Sequence, residues 1–116
     1  MLGMHSAIIR RAAIITYEAE MNLVIHGGGG VLKVLITPER IEIVSSDEGP
    51  GIPDVEMAMR EGFSTAPDRV REMGFGAGMG LPNIKRNSDS LSIDSTVGVG
   101  TTLRAVIELA GQGGSV

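Results

Sequence analysis

The sequence has no cysteine and few aromatic residues. Among its 116 residues there is no Cys and no Trp, and the aromatic side chains are Tyr17, Phe63 and Phe75. A chain without thiols forms no disulfides, no Cys-ligated zinc or iron–sulfur centre and no thiol nucleophile. The longest unbroken apolar run, residues 12–15, is far shorter than the roughly 20 residues that cross a bilayer. Because the N-terminus also has no secretory signal, we expect a cytoplasmic protein without a membrane partner.

Charge and glycine content narrow the possible ligands. The net charge is −4 and the pI is near 5.1, with no block of like charge, which argues against a nucleic-acid partner. Glycine accounts for 17 of the 116 residues, about twice the usual ~7%. An acidic chain that binds a polyphosphate needs backbone N–H groups and a metal ion, and glycine-rich turns leave such N–H groups exposed.

The periodicity of apolar residues predicts the order of elements. Steps of three and four predict a long helix over residues 7–26, and shorter helices are expected over 54–60, with Asp54 as N-cap, and over 80–87. Alternating patterns predict strands at residues 31–36, 41–44, 91–95 and 101–109. This order favours an α+β fold, a two-layer α/β sandwich with a mostly antiparallel sheet and helices on one face. We expect one domain over residues 1–110 and a flexible tail over 111–116.

Three polar residues follow one stripe of the long helix. Glu18, Asn22 and His26 are spaced four apart, so they share a helix face. An acid, an amide and an imidazole in a row offer a general base, an oxygen for a metal and a donor for phosphate. A solvated polar face is the alternative explanation of the same pattern.

Glycines flank an acidic residue after the second strand. In Asp47-x-Gly49-x-Gly51-Ile52 an ionised carboxylate, which only accepts hydrogen bonds, can select an exocyclic amine such as that of adenine. The glycines would let a flat ring approach the backbone. A plain turn explains the segment equally well.

A second glycine series leads into a helix. The alternate glycines Gly74, Gly76, Gly78 and Gly80, followed by Leu81, can present backbone donors and the helix dipole to phosphate, unless the segment is only a disordered loop. The spacing excludes the dinucleotide fingerprint and the Walker A loop, and the kinase motifs H-R-D and D-F-G are absent. After Gly100, Thr101 shares the inward parity of the last strand, so its hydroxyl needs a partner there, which a ligand or water near Asp47 could supply.

In this order the motifs resemble the GHKL ATP-binding superfamily of gyrase, heat-shock chaperone, histidine kinase and MutL. Glu18-x-x-x-Asn22-x-x-x-His26 is similar to its N box, and Asp47 to Gly51 is similar to its first glycine box. Gly76-x-Gly78-x-Gly80 and Gly100-Thr101 are similar to its later boxes. Within the superfamily the segments resemble most the small bacterial serine kinases that act as anti-sigma factors or stress-switch kinases, the RsbW and RsbT type. The likeness runs from residue 8 to residue 109.

The resemblance implies a role for each matched residue. Asn22 would hold Mg²⁺ between the phosphates of ATP, Glu18 would be the catalytic base for a serine hydroxyl or water, and His26 would lie by the phosphates. Asp47 would accept from the adenine amino group, with Thr101 supporting it through water. Segment 62–79 would close as the ATP lid. The remaining ATP-binding positions would be Gly49, Gly51, Ile52, Gly76, Gly78, Gly80 and Leu81.

The resemblance also implies a function. We expect an ATP-dependent serine/threonine-protein kinase that phosphorylates a protein partner, an anti-sigma antagonist or a sigma factor-like protein. A non-catalytic ATP-sensing regulatory module and a fragment of a larger GHKL ATPase remain alternatives. In histidine kinases the phosphoacceptor histidine lies on a separate dimerising helix pair, and no segment of that kind follows His5. Autophosphorylation on histidine is therefore not expected.

One departure concerns the N-terminus. Such kinases usually begin with a strand and a helix upstream of the N-box helix, whereas about seven residues precede Ile8 here. We therefore expect a sheet without its N-terminal edge strand. The open backbone would suit a homodimer, an exchanged element or a longer chain.

Overall fold

The structure is a computed structural model that describes residues 5–60 and 80–109. The predicted lid, residues 62–79, and the predicted tail, residues 111–116, lie outside the described residues. The elements are α1 (Ser6–Ile25), β1 (Val31–Ile36), β2 (Arg40–Asp47), α2 (Val55–Ala58), α3 (Gly80–Asn87), β3 (Ser90–Thr96) and β4 (Gly100–Glu108).

Helix α1 forms where the three- and four-residue periodicity predicts it, within one residue at each end. Its buried side chains are Ile8, Ile15, Ala19 and Leu23, which lie on one stripe. The helix ends just before the tetraglycine segment, residues 27–30, where Gly28 and Gly29 adopt φ values of 73° and 103°, which suit glycine. The Gly29 N–H donates to the Leu23 carbonyl at 2.7 Å and closes the last turn.

The four strands form one antiparallel sheet in the order β1-β2-β4-β3. The helices and this sheet confirm the predicted two-layer α+β architecture. Strand β2 runs three residues beyond the predicted end at Val44, because Ser45, Ser46 and Asp47 pair with β4. Asp47 is therefore the last residue of a strand and not the first residue of a loop, and its backbone is fixed by pairing opposite Thr101.

The core lies between the inner face of the sheet and α1 with α3. Ile43 of β2, Ala105 of β4, Ile15 of α1 and Ile84 of α3 are all fully buried. Burial of each large aliphatic side chain contributes about 1.5–3 kcal/mol. The cluster of buried residues comprises Ile8, Ile15, Ala19, Ile41, Ile43, Ile84, Leu103, Ala105 and Ile107.

Polar contacts hold α3 beside α1. Arg11 of α1 donates from Nε to the carbonyl of Asn87 at 2.8 Å, and its guanidinium pairs with Asp89 at 3.0 Å. Asp89 also accepts from the backbone N–H of Glu108 at 2.7 Å. The C-terminal end of α3 is thereby fixed against the first half of α1.

Helix α2 is shorter than predicted. Asp54 caps it as expected, accepting from the Met57 N–H at 3.0 Å. The helix ends at Ala58 and not at Arg60, because the Arg60 N–H bonds to the carbonyl three residues back, which tightens the last turn. None of its residues is buried, so no packing extends it.

Strand β1 lies at the sheet edge, and within the described ranges its backbone pairs on the β2 side alone. Val31, Val34, Leu35 and Ile36 are each about half exposed. Of the helices that the structure describes, none combines the length and apolarity needed to cross a membrane.

Candidate functional site

Glu18 and Asn22 of α1 face the first residue of α3. A Cβ placed on Gly80 would lie 3.2 Å from Asn22 Oδ1 and 3.5 Å from Glu18 Oε1. A side chain at position 80 would therefore crowd Asn22 and contact Glu18. Because a helix N-terminus carries partial positive charge and unpaired N–H groups, this junction suits an anionic ligand. Glu18 and Asn22 of the polar stripe meet Gly80, the last residue of the second glycine series, at this junction.

Asp47 is enclosed by glycine backbone. A Cβ on Gly27 would lie 2.7 Å from Asp47 Cγ, and a Cβ on Gly100 would collide with the Asp47 carbonyl oxygen. The Gly49 N–H donates to Asp47 Oδ1 at 2.8 Å. In residues 5–60 and 80–109 no hydrogen bond to Oδ2 is present. The carboxylate is thus held by one oxygen and can accept a donor from a ligand with the other.

Thr101 lies opposite Asp47 on the inner face of the sheet, as its parity predicts. Its hydroxyl lies 2.8 Å from Ser95 Oγ. A side chain of β3 therefore supplies one partner, and a further hydrogen bond of this hydroxyl to a ligand or water near Asp47 stays a prediction. The role of Thr101 in supporting adenine stays a prediction.

Ser95 is the residue that motif reading misses. Its Oγ accepts from the Ile52 N–H at 2.7 Å and contacts both Thr101 and the Gly100 carbonyl. It joins the first glycine loop to the hairpin of β3 and β4. A signal was available, because Ser95 continues the inward parity of Leu91 and Ile93 with a polar side chain.

The first glycine loop docks on the β3–β4 turn. Gly51 has a φ of 80° and lies so close to Thr96 that a Cβ would be 2.5 Å from the Thr96 carbonyl oxygen. The Gly98 N–H donates to the Pro50 carbonyl at 2.8 Å. These contacts require glycine at position 51 and place the half-buried Ile52 beside Ser95.

His26 ends the polar stripe at the C-cap of α1. Its backbone N–H donates to the Asn22 carbonyl at 2.9 Å, and the residue is half-buried. Burial lowers the pKa of His26 below its ordinary value of 6.5, because the imidazolium loses hydration. At neutral pH the ring is therefore uncharged and offers one N–H donor and one acceptor.

The candidate site residues that the structure describes form two neighbouring groups. Glu18, Asn22 and Gly80 meet at the start of α3, whereas Asp47, Gly49 and Thr101 meet at the end of β2. The last turn of α1, through His26 to Gly27, connects the groups. Leu81 packs against the core. Gly76 and Gly78, predicted to contact phosphate, lie outside the described residues.

The donor set fits a magnesium ion carried by a nucleotide. The described ranges contain no group of three His, Asp or Glu side chains that would hold a metal alone. Mg²⁺ commonly takes one or two protein oxygens and completes its shell with phosphate oxygens and water. The Asn22 amide oxygen beside the α3 N-terminus is suited to such partial coordination.

The geometry agrees with the comparison to known families. The model described as "Histidine kinase-, DNA gyrase B-, and HSP90-like ATPase" matches residues 8–111. The chain belongs to this ATPase family. The superfamily resemblance that the motifs carry is thereby confirmed, and the family implies ATP as ligand.

Relatives place it more narrowly within the family. The serine/threonine-protein kinase RsbT of Bacillus subtilis (strain 168) is 34% identical over 104 residues, covering 84% of this chain and 72% of that protein. The anti-sigma F factor of Thermoanaerobacter sp. (strain X514) is 38% identical over 92 residues, covering 75% of this chain and 61% of that protein. A solved structure, the mycobacterial sensor histidine kinase MprB, matches with a TM-score of 0.47 and 28% identity over 69% of this chain and 57% of that chain.

Proposed function

We propose that this chain is an ATP-dependent serine/threonine-protein kinase of the anti-sigma regulatory type. It would transfer the γ-phosphoryl group of ATP to a serine of a partner regulatory protein. The observation that carries the proposal is the meeting of Glu18 and Asn22 with the N-terminus of α3 at Gly80. The names of the two curated relatives, a serine/threonine-protein kinase and an anti-sigma factor, support it.

The end of β2 would bind the adenine. Asp47 keeps one oxygen on the Gly49 N–H, which leaves the other oxygen to accept from an exocyclic amino group. Gly27 and Gly49 carry no side chains that would displace this carboxylate. Ile52, positioned by Ser95, would offer an apolar contact to the ring.

The start of α3 would receive the phosphates. Its backbone N–H groups and dipole favour negative charge, and Asn22 would hold Mg²⁺ against the phosphate oxygens. The ion would neutralise charge on the transferring group when bound. His26, uncharged at neutral pH, would donate one hydrogen bond on the phosphate side.

Glu18 would act as the base. As the serine oxygen forms its bond to the γ-phosphorus, its proton would pass to the Glu18 carboxylate. The bond from the γ-phosphorus to the β,γ-bridging oxygen would break, and ADP would leave with that oxygen. Phosphoryl transfer depends mainly on positioning and charge neutralisation, so this small set of groups is sufficient.

The partner belongs to the same proposal. We expect an anti-sigma antagonist or a sigma factor-like protein, in the cytoplasm. The open edge of β1, with its half-exposed apolar residues, would suit a homodimer that extends the sheet.

The test is phosphate transfer from labelled MgATP to a purified serine-bearing antagonist protein. Glu18→Gln should lower the transfer rate by about 10²–10⁴-fold, the usual contribution of a general base, and leave ATP affinity nearly unchanged. Glu20→Gln is the matched control, because Glu20 is exposed on the same helix. An unlabelled antagonist whose affinity nevertheless responds to ATP would identify a non-catalytic ATP-sensing module. Normal transfer by Glu18→Gln would show that Glu18 is not the base.

A further inference from the structure

Asn83 of α3 holds the carboxylate of Glu18. The Asn83 Nδ2 donates to Glu18 Oε2 at 2.9 Å, across the packed surface between α1 and α3. Both residues are half-buried. Asn83 lies one turn after Gly80, so the same helix that would present its N-terminus to phosphate also contacts the proposed base.

The chemistry of its neighbours fixes the orientation of the Asn83 amide. Arg86, three residues further along α3, donates to Asn83 Oδ1. A guanidinium can only donate and an ionised carboxylate can only accept. One orientation of the amide therefore satisfies both groups, with its oxygen on Arg86 and its nitrogen on Glu18.

This contact gives the two oxygens of Glu18 different surroundings. Oε2 is occupied by Asn83, whereas Oε1 lies 3.5 Å from the position that a Cβ on Gly80 would take. Asn22 Oδ1 lies beside the same position. A free glutamate side chain samples many rotamers, and a hydrogen bond at one oxygen restricts that freedom.

We infer that Asn83 is a positioning residue for Glu18. It holds Oε2 so that Oε1 faces the junction of α1 and α3, where the incoming hydroxyl would lose its proton. This inference rests on the proposed function. It adds a second residue on which the rate of transfer depends, although that residue contacts neither ATP nor the partner protein. A base held in the productive geometry needs no rotamer search in each turnover.

The experiment measures steady-state transfer from labelled MgATP to the antagonist protein, with the full chain and its variants. Asn83→Asp has nearly the same shape but presents an acceptor to Glu18, and Asn83→Ala removes the contact. Both should lower kcat by tenfold or more, with the KM for ATP and the melting temperature close to those of the unsubstituted chain. Lys85→Ala, an exposed position on α3, is the matched control and should leave kcat unchanged.

A double substitution separates positioning from general structural support. In a Glu18→Ala background no base remains to be positioned, so adding Asn83→Ala should not lower the residual rate further. Unchanged kcat in both single Asn83 variants overturns the inference while the proposed function stands. A loss of kcat that is accompanied by a clearly lower melting temperature overturns it as well. So does a further loss of the residual rate when Asn83→Ala is added in the Glu18→Ala background. Absence of transfer by the unsubstituted chain overturns the proposed function and the inference together.

Discussion

The carboxylate of Asp47 lies directly against the backbone of Gly27, where a Cβ would come within 2.7 Å of Asp47 Cγ. Gly27 follows the last turn of α1, and Asp47 ends β2. The residue after the polar stripe of the helix thus touches the residue proposed to select the purine. A substitution of Gly27 should therefore change the affinity for the nucleotide.

We expect Gly27→Ala to weaken ATP binding by about tenfold or more, equivalent to about 1.4 kcal/mol, because the added methyl group displaces the Asp47 side chain. Titration calorimetry with MgATP measures this. Gly28→Ala is the control: its φ of 73° makes alanine strained, but a Cβ there meets no atom of residues 5–60 or 80–109 within 4 Å. That variant should lose about 1 kcal/mol of stability and keep its ATP affinity. Equal ATP affinity in both variants would contradict the role given to the contact.

Ser95→Ala should detach the first glycine loop from the β3–β4 hairpin. The Ile52 N–H would lose its acceptor, which costs about 1–3 kcal/mol where the group stays shielded from water. We expect a lower urea midpoint and weaker ATP binding. Ser92→Ala, at an exposed position on the same strand, should change stability by no more than about 0.5 kcal/mol. Identical urea midpoints for the two variants would show that Ser95 is not the link.

Two positions on α1 test the packing of the core. Ile15 is fully buried, whereas Val24 is 63% exposed. Ile15→Ala should lower the free energy of unfolding by about 2–5 kcal/mol through lost burial and the cavity left behind. Val24→Ala should change it by about 0.5 kcal/mol or less. Urea denaturation gives both values, and a small loss at Ile15 would mean that the helix packs on the sheet by another face.

His26 should make the folded state less stable in mild acid. Burial lowers the pKa of His26 in the folded protein, so below its ordinary value of 6.5 the unfolded chain binds the proton first. The free energy of unfolding contributed by this group is constant above that value and falls as the pH drops below it. His26→Gln should remove this component, so urea midpoints of the two proteins should diverge between about pH 7 and pH 5. Parallel curves over that range would contradict the burial of an uncharged ring.

Much of the fold is predictable from local patterns because those patterns are physical constraints. The apolar stripe of α1 and the alternation at Ile41 and Ile43 predict which faces are buried, and these faces are buried in the structure. The end of β2 is less predictable, because Ser45 to Asp47 are polar and become strand only through pairing with β4. Pairing between distant segments leaves no local signal.

The residues of the candidate site divide in the same way, into those that local spacing predicts and those that depend on contacts between distant segments. Glu18, Asn22 and Asp47 are recognisable from spacing, and the structure brings the first two to Gly80 and the third to Gly27. Ser95 and Asn83 are not part of any spacing motif. Each acts through a hydrogen bond to a residue far along the chain, Ile52 and Glu18 respectively, so the partner of each is seen only in the packed structure.

The most direct test of the account is the comparison of ATP with inosine triphosphate, whose purine carries a carbonyl where adenine carries the amino group. Asp47 can accept from the amino group but repels the carbonyl, so the unsubstituted chain should bind ATP about ten to a hundred times more tightly. Asp47→Asn retains an oxygen for the Gly49 N–H and offers a donor in place of the second acceptor. It should therefore lose or reverse the preference in calorimetric titration. Equal affinity of the unsubstituted chain for both nucleotides, or the same preference after Asp47→Asn, would contradict the account.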